Sequence, residues 1–318
     1  MKRKTVVSLS SIIIIILIII VGFSYYIGNQ VFLNSTQLTT SESTKEIVGV
    51  SRKHAKYYYM ISSDYIIENI NLKSSYDGHN IPADYIYSSK PSDKNNKTII
   101  MVHGLGGNRY SLYVIAQYFL EKGFNVITYD QRSSNENTAK YTTFGYLEKY
   151  DLIDYINYVK KQAPHKVLGI WGTSCGGATA GLAAGHEETY EKLDFLFLDC
   201  PVSSMEWMIE NEINKMGIGI PTSYMIFCGN IINKLKLGFF YGDADVTNKI
   251  KNITTPTLII NSKKDTTTPY FMGKNIYDCI NLNNKEIWTV NDSEHTQIWF
   301  EHNNEYKNKI DTFLNKYL

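Results

Sequence analysis

The sequence predicts an α/β domain built on a mostly parallel sheet with helices on both faces, preceded by a membrane-crossing helix. Three observations carry that expectation. From Lys97 onward, short apolar runs alternate with segments of helical period, the pattern of a parallel sheet joined by right-handed crossovers. The apolar run 167–171 leads into Gly172-Thr173-Ser174-Cys175-Gly176 and then into a small-residue stretch. Such a G-x-S-x-G turn reverses a buried strand into a closely packed helix and pushes its serine out at the top of the sheet. Finally, Met1-Lys2-Arg3-Lys4 is basic, and residues 5–27 carry no charge, with isoleucine dominating 12–20.

At about 1.5 Å per helical residue that uncharged run spans ~35 Å, enough to cross a hydrocarbon core of about 30 Å. The basic tip stays cytoplasmic by the positive-inside rule, which places everything after Ile27 outside the cytoplasm. A cleaved signal peptide is the competing expectation, since the densest apolar part is short and Gly22-Phe23-Ser24 offers a small-x-small site. A cleaved chain would be a secreted form. No cysteine follows the apolar run, which argues against a lipoprotein anchor.

The domain expectation is a cytoplasmic tip and anchor over 1–28, a linker over 29–45, and a single α/β domain over 46–318 with a cap insertion at 203–252. Residues 29–43 are polar and aperiodic, as in a flexible tether. A short helix is expected from Lys45, with Tyr57, Tyr58 and Tyr59 packed on the domain. Residues 65–73 and 80–87 read as strands joined through Asp77-Gly78, a hairpin signal. Strands then follow at 97–102, 124–129, 167–171, 193–198, 257–261 and 285–290, with helices at 110–122, 148–162 and 270–280 and a polar amphipathic helix closing the chain. The insertion holds two helices bearing Met205, Trp207, Met208, Met216, Met225 and Phe227, read as packing residues of a lid.

The 318 residues are 43% hydrophobic and 20% charged, which suits one large domain with a substantial core. Lys and Arg number 32 against 31 Asp and Glu, for a net charge of +1, so no global field favours nucleic acid. Cys175, Cys200, Cys228 and Cys279 form no C-x-x-C pair or zinc spacing and are expected as buried thiols. Neither metal nor cofactor is called for.

His103-Gly104-Leu105-Gly106-Gly107-Asn108 follows the strand at 97–102. Its glycines let backbone N–H groups turn away from the sheet, so that the amides of Leu105 and Cys175 can form an oxyanion hole. No G-K-[ST] accompanies the loop, which argues against phosphate binding. His103 is expected to brace it. Beyond the insertion, Asp265 follows the strand at 257–261 and His295 follows the strand at 285–290. Ser174, Asp265 and His295 thus stand in the order nucleophile, acid, base, each at a strand's carboxyl end. Asp199 is the rival acid and His302 the rival base, both less favoured.

On these motifs the chain, from about Tyr65 to its C terminus, resembles the α/β-hydrolase superfamily. The resemblance implies an α/β-hydrolase fold, with Ser174 as nucleophile, His295 as general base and then acid, Asp265 as the orienting carboxylate, and Leu105 and Cys175 as oxyanion donors. Asp130-Gln131-Arg132 resembles the family's D-x-R segment, although Ser133-Ser134-Asn135-Glu136-Asn137 replaces its glycine-containing continuation. Residues 146–151 are similar to a bacterial membrane-anchored branch with serine-aminopeptidase-like domains. The expected activity is hydrolysis of a small-molecule carboxylic ester or related acyl bond. A short-peptide substrate is the alternative, with Glu206, Glu210 and Glu212 as candidates to hold its amine. A non-catalytic surface binding protein is a third reading.

Overall fold

The computed structural model describes residues 2–38, 61–89, 97–162 and 167–318. The helix expected from Lys45, with its three tyrosines, lies outside them. In chain order the elements are α1 (Lys2–Thr36), β1 (Tyr65–Lys73), β2 (Asn80–Ser88), β3 (Lys97–Val102), α2 (Tyr113–Glu121), β4 (Asn125–Tyr129), α3 (Glu148–Gln162), β5 (Val167–Thr173), α4 (Cys175–Ala184) and β6 (Phe195–Asp199). They continue with α5 (Met205–Met216), α6 (Thr222–Leu237), α7 (Val246–Lys249), β7 (Thr257–Ser262), α8 (Tyr270–Cys279), β8 (Lys285–Val290), α9 (Ile298–Glu301) and α10 (Asn303–Tyr317). The chain divides into two compact units, one of Met1–Thr36 with Glu206–Asp243, the other of Gln37–Met205 with Ala244–Leu318.

The second unit holds a single eight-stranded sheet in the order β1-β2-β4-β3-β5-β6-β7-β8. The β1–β2 and β2–β4 pairs are antiparallel and the others parallel. Asp77-Gly78 turns the expected hairpin, with Gly78 at φ +76°. Every residue of β4 and β6 is buried, as strands covered on both faces of a sheet should be. Met101, Phe119, Trp171, Phe195, Phe197, Tyr306 and Phe313 belong to one buried cluster that joins the sheet to α2 and α10. Phe313 meets Phe197 edge-on at 5.4 Å between centroids. Such aromatic pairs add stability beyond their buried area.

In the other unit, α1 is a helix long and apolar enough to cross a membrane, over Ser10–Thr36. Residues 10–23 are exposed, whereas Ile27, Val31 and Phe32 are buried. The burial comes from α6, which runs in the same direction. Ser24 Oγ lies 2.7 Å from the Tyr224 hydroxyl, and farther along, Lys236 Nζ donates to Asn29 Oδ1 at 2.7 Å. A Cβ on Gly28 would sit 2.5 Å from the Cys228 carbonyl oxygen, and one on Gly229 would sit 2.5 Å from Val31 Cγ1. Two glycines therefore allow the backbones to approach closely, as in helix pairs within membranes.

This packing changes one expectation. Residues 29–36, read from composition as part of a tether, are helical to Thr36. Their polar content gives no helical period, but Val31 and Phe32 bury against α6, and tertiary packing overrides local composition. The ends of the 203–252 insertion likewise belong to the sheet-bearing unit, and only Glu206–Asp243 groups with α1.

Candidate active site

Leu105, Ser174, Asp265 and His295 lie in the sheet-bearing unit, in loops and turns at the carboxyl ends of strands, whereas Glu206, Glu210 and Glu212 lie on α5 in the unit that holds α1. Between β5 and α4 the chain turns at Ser174, whose φ of 56° and ψ of −123° is a conformation few side chains tolerate. The flanking glycines make the turn possible. A Cβ on Gly172 would lie 2.4 Å from the Gly176 carbonyl, and one on Gly176 only 2.2 Å from that of Val102. The turn is also tied down, because the Ser174 N–H donates to the Asp199 carbonyl at 2.9 Å.

His295 Nε2 lies 2.9 Å from Ser174 Oγ, and its Nδ1 lies 2.7 Å from Asp265 Oδ2. An ionised carboxylate can only accept, so Nδ1 carries the hydrogen and Nε2 is left as an acceptor for the serine hydroxyl. The other carboxylate oxygen, Asp265 Oδ1, accepts from the N–H groups of Thr267 at 2.8 Å and Thr268 at 2.9 Å. Burial disfavours the Asp265 charge, but the bonds from His295 and Thr268 outweigh it and hold the carboxyl below its usual range. The Thr268 hydroxyl lies 2.8 Å from Asp265 Oδ2, 3.0 Å from the Cys200 carbonyl and 3.1 Å from His295 Nδ1. Sequence reasoning missed Thr268. Its only signal was a threonine run before Pro269, which reads as an ordinary helix entry.

The rivals sit elsewhere. Asp199 accepts a 2.9 Å bond from the Tyr306 hydroxyl, which itself accepts from Trp171 Nε1 at 3.0 Å. Burial pushes the Asp199 carboxyl up to about 6, despite the Tyr306 bond. His302 pairs with Asp292 at 2.9 Å on a more open part of the surface.

The state of Asp199 has a consequence for stability. A carboxyl that titrates at about 6 in the fold and at 3.8 otherwise binds more protons folded than unfolded between those values. Stability therefore falls as pH rises through that window, by on the order of 3 kcal/mol in total. The full cost is present above pH 6. Asp199→Asn removes the titration, so the variant's melting temperature is expected to gain on that of the wild type between pH 4 and pH 7. Parallel pH profiles would contradict this.

Cys175, at the first turn of α4, is buried, and its helix position leaves its N–H without an intrahelical acceptor. Burial pushes its thiol up to about 12, so the sulfur stays neutral beside Ser174. Leu105 stands in the facing loop, which is clamped at both ends. His103 Nδ1 donates to the Gly104 carbonyl at 2.7 Å, and Nε2 accepts from the Gln131 N–H at 3.0 Å. Burial lowers the imidazole to about 4, so it remains neutral and serves as a brace, as expected. At the loop's far end, Asn108 Oδ1 caps the turn at Tyr110 and Ser111. Arg109, buried, pairs with Asp130 and Asp84.

The segment after Asp130 turns without glycine. Ser133 and Asn135 take φ of 57° and 43°, and asparagine is among the side chains that best tolerate that region. Asn135 Nδ2 donates to Asp130 Oδ2 and Asn137 Nδ2 to the Asp130 carbonyl, both at 2.9 Å. Arg132 pairs with Asp77 and Asp151. A small, partly open pocket lies between the two loops, lined by His103, Leu105, Gln131, Phe144, Glu148 and Cys175 among others.

Ligand atoms of Cys200, Asp265 and His295 fall within 4.8 Å of one another. Burial holds the Cys200 thiol well above its ordinary value, and the other two residues are already bonded to each other, so the trio reads as an acid–base pair beside a neutral thiol. All four cysteines are unpaired, with Cys175, Cys200 and Cys228 buried.

Residues 97–225, which include the strands around β5 and the turn at Ser174, match the profile described as alpha/beta hydrolase fold. This chain has the α/β-hydrolase fold. An esterase of Pyrococcus furiosus, Pf2001, superposes with a TM-score of 0.63 at 20% identity, over 80% of this chain and 93% of that one. Among sequence relatives, the uncharacterized protein YqkD of Bacillus subtilis is 28% identical over 240 residues, covering 74% of this chain and 77% of its own. A lysophosphatidylserine lipase of Danio rerio, ABHD12, is 23% identical over 268 residues, covering 78% of this chain and 64% of its own.

Proposed function

We propose that this α/β hydrolase is a membrane-tethered serine hydrolase that cleaves a carboxylic ester or related acyl bond through an acyl-serine intermediate. The observation that carries the reading is the unbroken chain from Ser174 Oγ through His295 to Asp265, with links of 2.9 and 2.7 Å. A serine hydroxyl is barely nucleophilic until an imidazole takes its proton. In the first half-reaction His295 Nε2 accepts that proton while Ser174 Oγ bonds to the acyl carbon. The carbonyl oxygen becomes an oxyanion facing the Leu105 and Cys175 amides. His295 then returns the proton to the leaving oxygen as its bond to carbon breaks. In the second half-reaction water takes the place of the leaving alcohol, and His295 acts in the same two roles. Asp265 holds the imidazole in the productive tautomer and stabilises its cation.

The basic N terminus and the exposed apolar length of α1 support a single-pass anchor with the hydrolase domain outside the cytoplasm. The lipid ester in the name of the Danio rerio relative agrees with an acyl substrate. The test is a panel of p-nitrophenyl esters of graded chain length, an acyl thioester and an aminoacyl p-nitroanilide, each beside Ser174→Ala. Turnover of esters is expected, abolished in the variant. Turnover of the anilide alone would favour the peptidase reading, and no turnover of any kind would favour a binding protein.

A further inference from the structure

The junction between α5 and α6 presents a surface that the chemistry above does not use. No charged residue lies between Lys215 and Lys234, a second uncharged run beside the one in α1. Much of it is not packed away. Met216 is 60% exposed, Ile218 50% and Phe227 62%. The turn at Met216 and Ile218 is built to protrude, since Gly217 and Gly219 take φ of +61° and +75° and a Cβ on either would meet nothing within 4 Å. An apolar, charge-free turn held open in this way is costly in water.

Its position along α1 says what covers it. Counting about 20 helical residues, ~30 Å, from the basic tip puts the far edge of the hydrocarbon near residues 24–26. There Tyr25 and Tyr26 are exposed, as in an interfacial aromatic belt. Tyr224 meets Ser24 at that level, and α6 runs away from it alongside the outer part of α1. Residues 216–223 come before Tyr224, and because α6 runs in the same direction as α1 they lead into it from the bilayer side of that level.

We propose that the α5–α6 turn, with Met216 and Ile218 at its tip, inserts beside α1 into the headgroup–acyl boundary of the outer leaflet. The inference rests on the anchor reading of α1. The occupant is lipid, because the exposed apolar surface continues that of the crossing helix. Boundary depth also suits the backbone, for a turn in the hydrocarbon centre would leave its carbonyls without partners, whereas the headgroup region supplies them. The chain would then hold the membrane by two elements, the crossing helix and a shallow turn that fixes its rotation about the anchor axis.

The test uses the full chain in phosphatidylcholine–phosphatidylglycerol liposomes, with a small environment-sensitive fluorophore on Leu17→Cys, Ile218→Cys or Leu235→Cys. Wild type carried through the same labelling reads the background from native thiols. Quenching by lipids with a nitroxide high on the acyl chain is compared with quenching by aqueous iodide. Leu235, also exposed, lies about 16 Å farther along α6 than Tyr224 and is expected to answer to iodide. The label at 218 is expected to show a lipid-to-iodide quenching ratio several-fold above that at 235, and the label at 17 a lipid response with little from iodide. A ratio at 218 no higher than at 235, with 17 still in lipid, would overturn the insertion alone. Shielding of 218 from both quenchers would overturn it in favour of a protein partner. Iodide access at 17 would overturn the anchor reading and the insertion with it.

Discussion

Asp265→Asn is expected to lower kcat on any ester the protein turns over by a factor on the order of 10⁴, the loss known for the equivalent change in a serine protease triad. The amide has the carboxylate's shape, but rotated to suit Thr267 and Thr268, whose N–H groups both point at Oδ1, it turns its NH₂ toward His295 Nδ1. An NH₂ can only donate there, so the imidazole places its own hydrogen on Nε2 and has no lone pair for Ser174. Asp199→Asn is the matched control. That residue bonds Tyr306, not His295, and its substitution is expected to change kcat by less than about tenfold while altering the pH dependence of melting. Melting temperatures of both variants separate catalysis from folding. A near-normal Asp265→Asn beside a folded but inactive Asp199→Asn would move the acid to the end of β6.

Buried strands were the most legible part of the fold. β4, β5 and β6 are short apolar runs closed by Gly or polar residues, and a covered parallel sheet asks for little else. The geometry around Ser174 was legible because glycine at 172 and 176 is a steric demand that can be read directly from the sequence. Other features depend on partners remote in sequence. Thr268 becomes a neighbour of His295 only because β7 and β8 pair side by side. The helical state of residues 29–36 depends on α6, about 200 positions away, and on Gly28 and Gly229 coming into register. The loop after Asp130 has no glycine to mark its turns, yet Ser133 and Asn135 take left-handed backbone conformations, and the amides of Asn135 and Asn137 bond the aspartate that begins the loop.

The reading of the site stands or falls with Ser174. Removing its hydroxyl deletes the atom that bonds to substrate, so Ser174→Ala is expected to cost on the order of 10⁶ in kcat, the scale seen when a triad serine is lost. The backbone strain at φ 56° is borne equally by alanine, and the Asp199 carbonyl still accepts the N–H, so the fold is expected to stay intact. The direct measurement is covalent labelling of the full chain in detergent with a fluorophosphonate, followed by intact-mass and peptide analysis. The expected result is one adduct per chain, mapped to Ser174 and absent from Ser174→Ala. An unmodified folded protein, or an adduct on another residue, would contradict the account of Ser174 as the activated nucleophile.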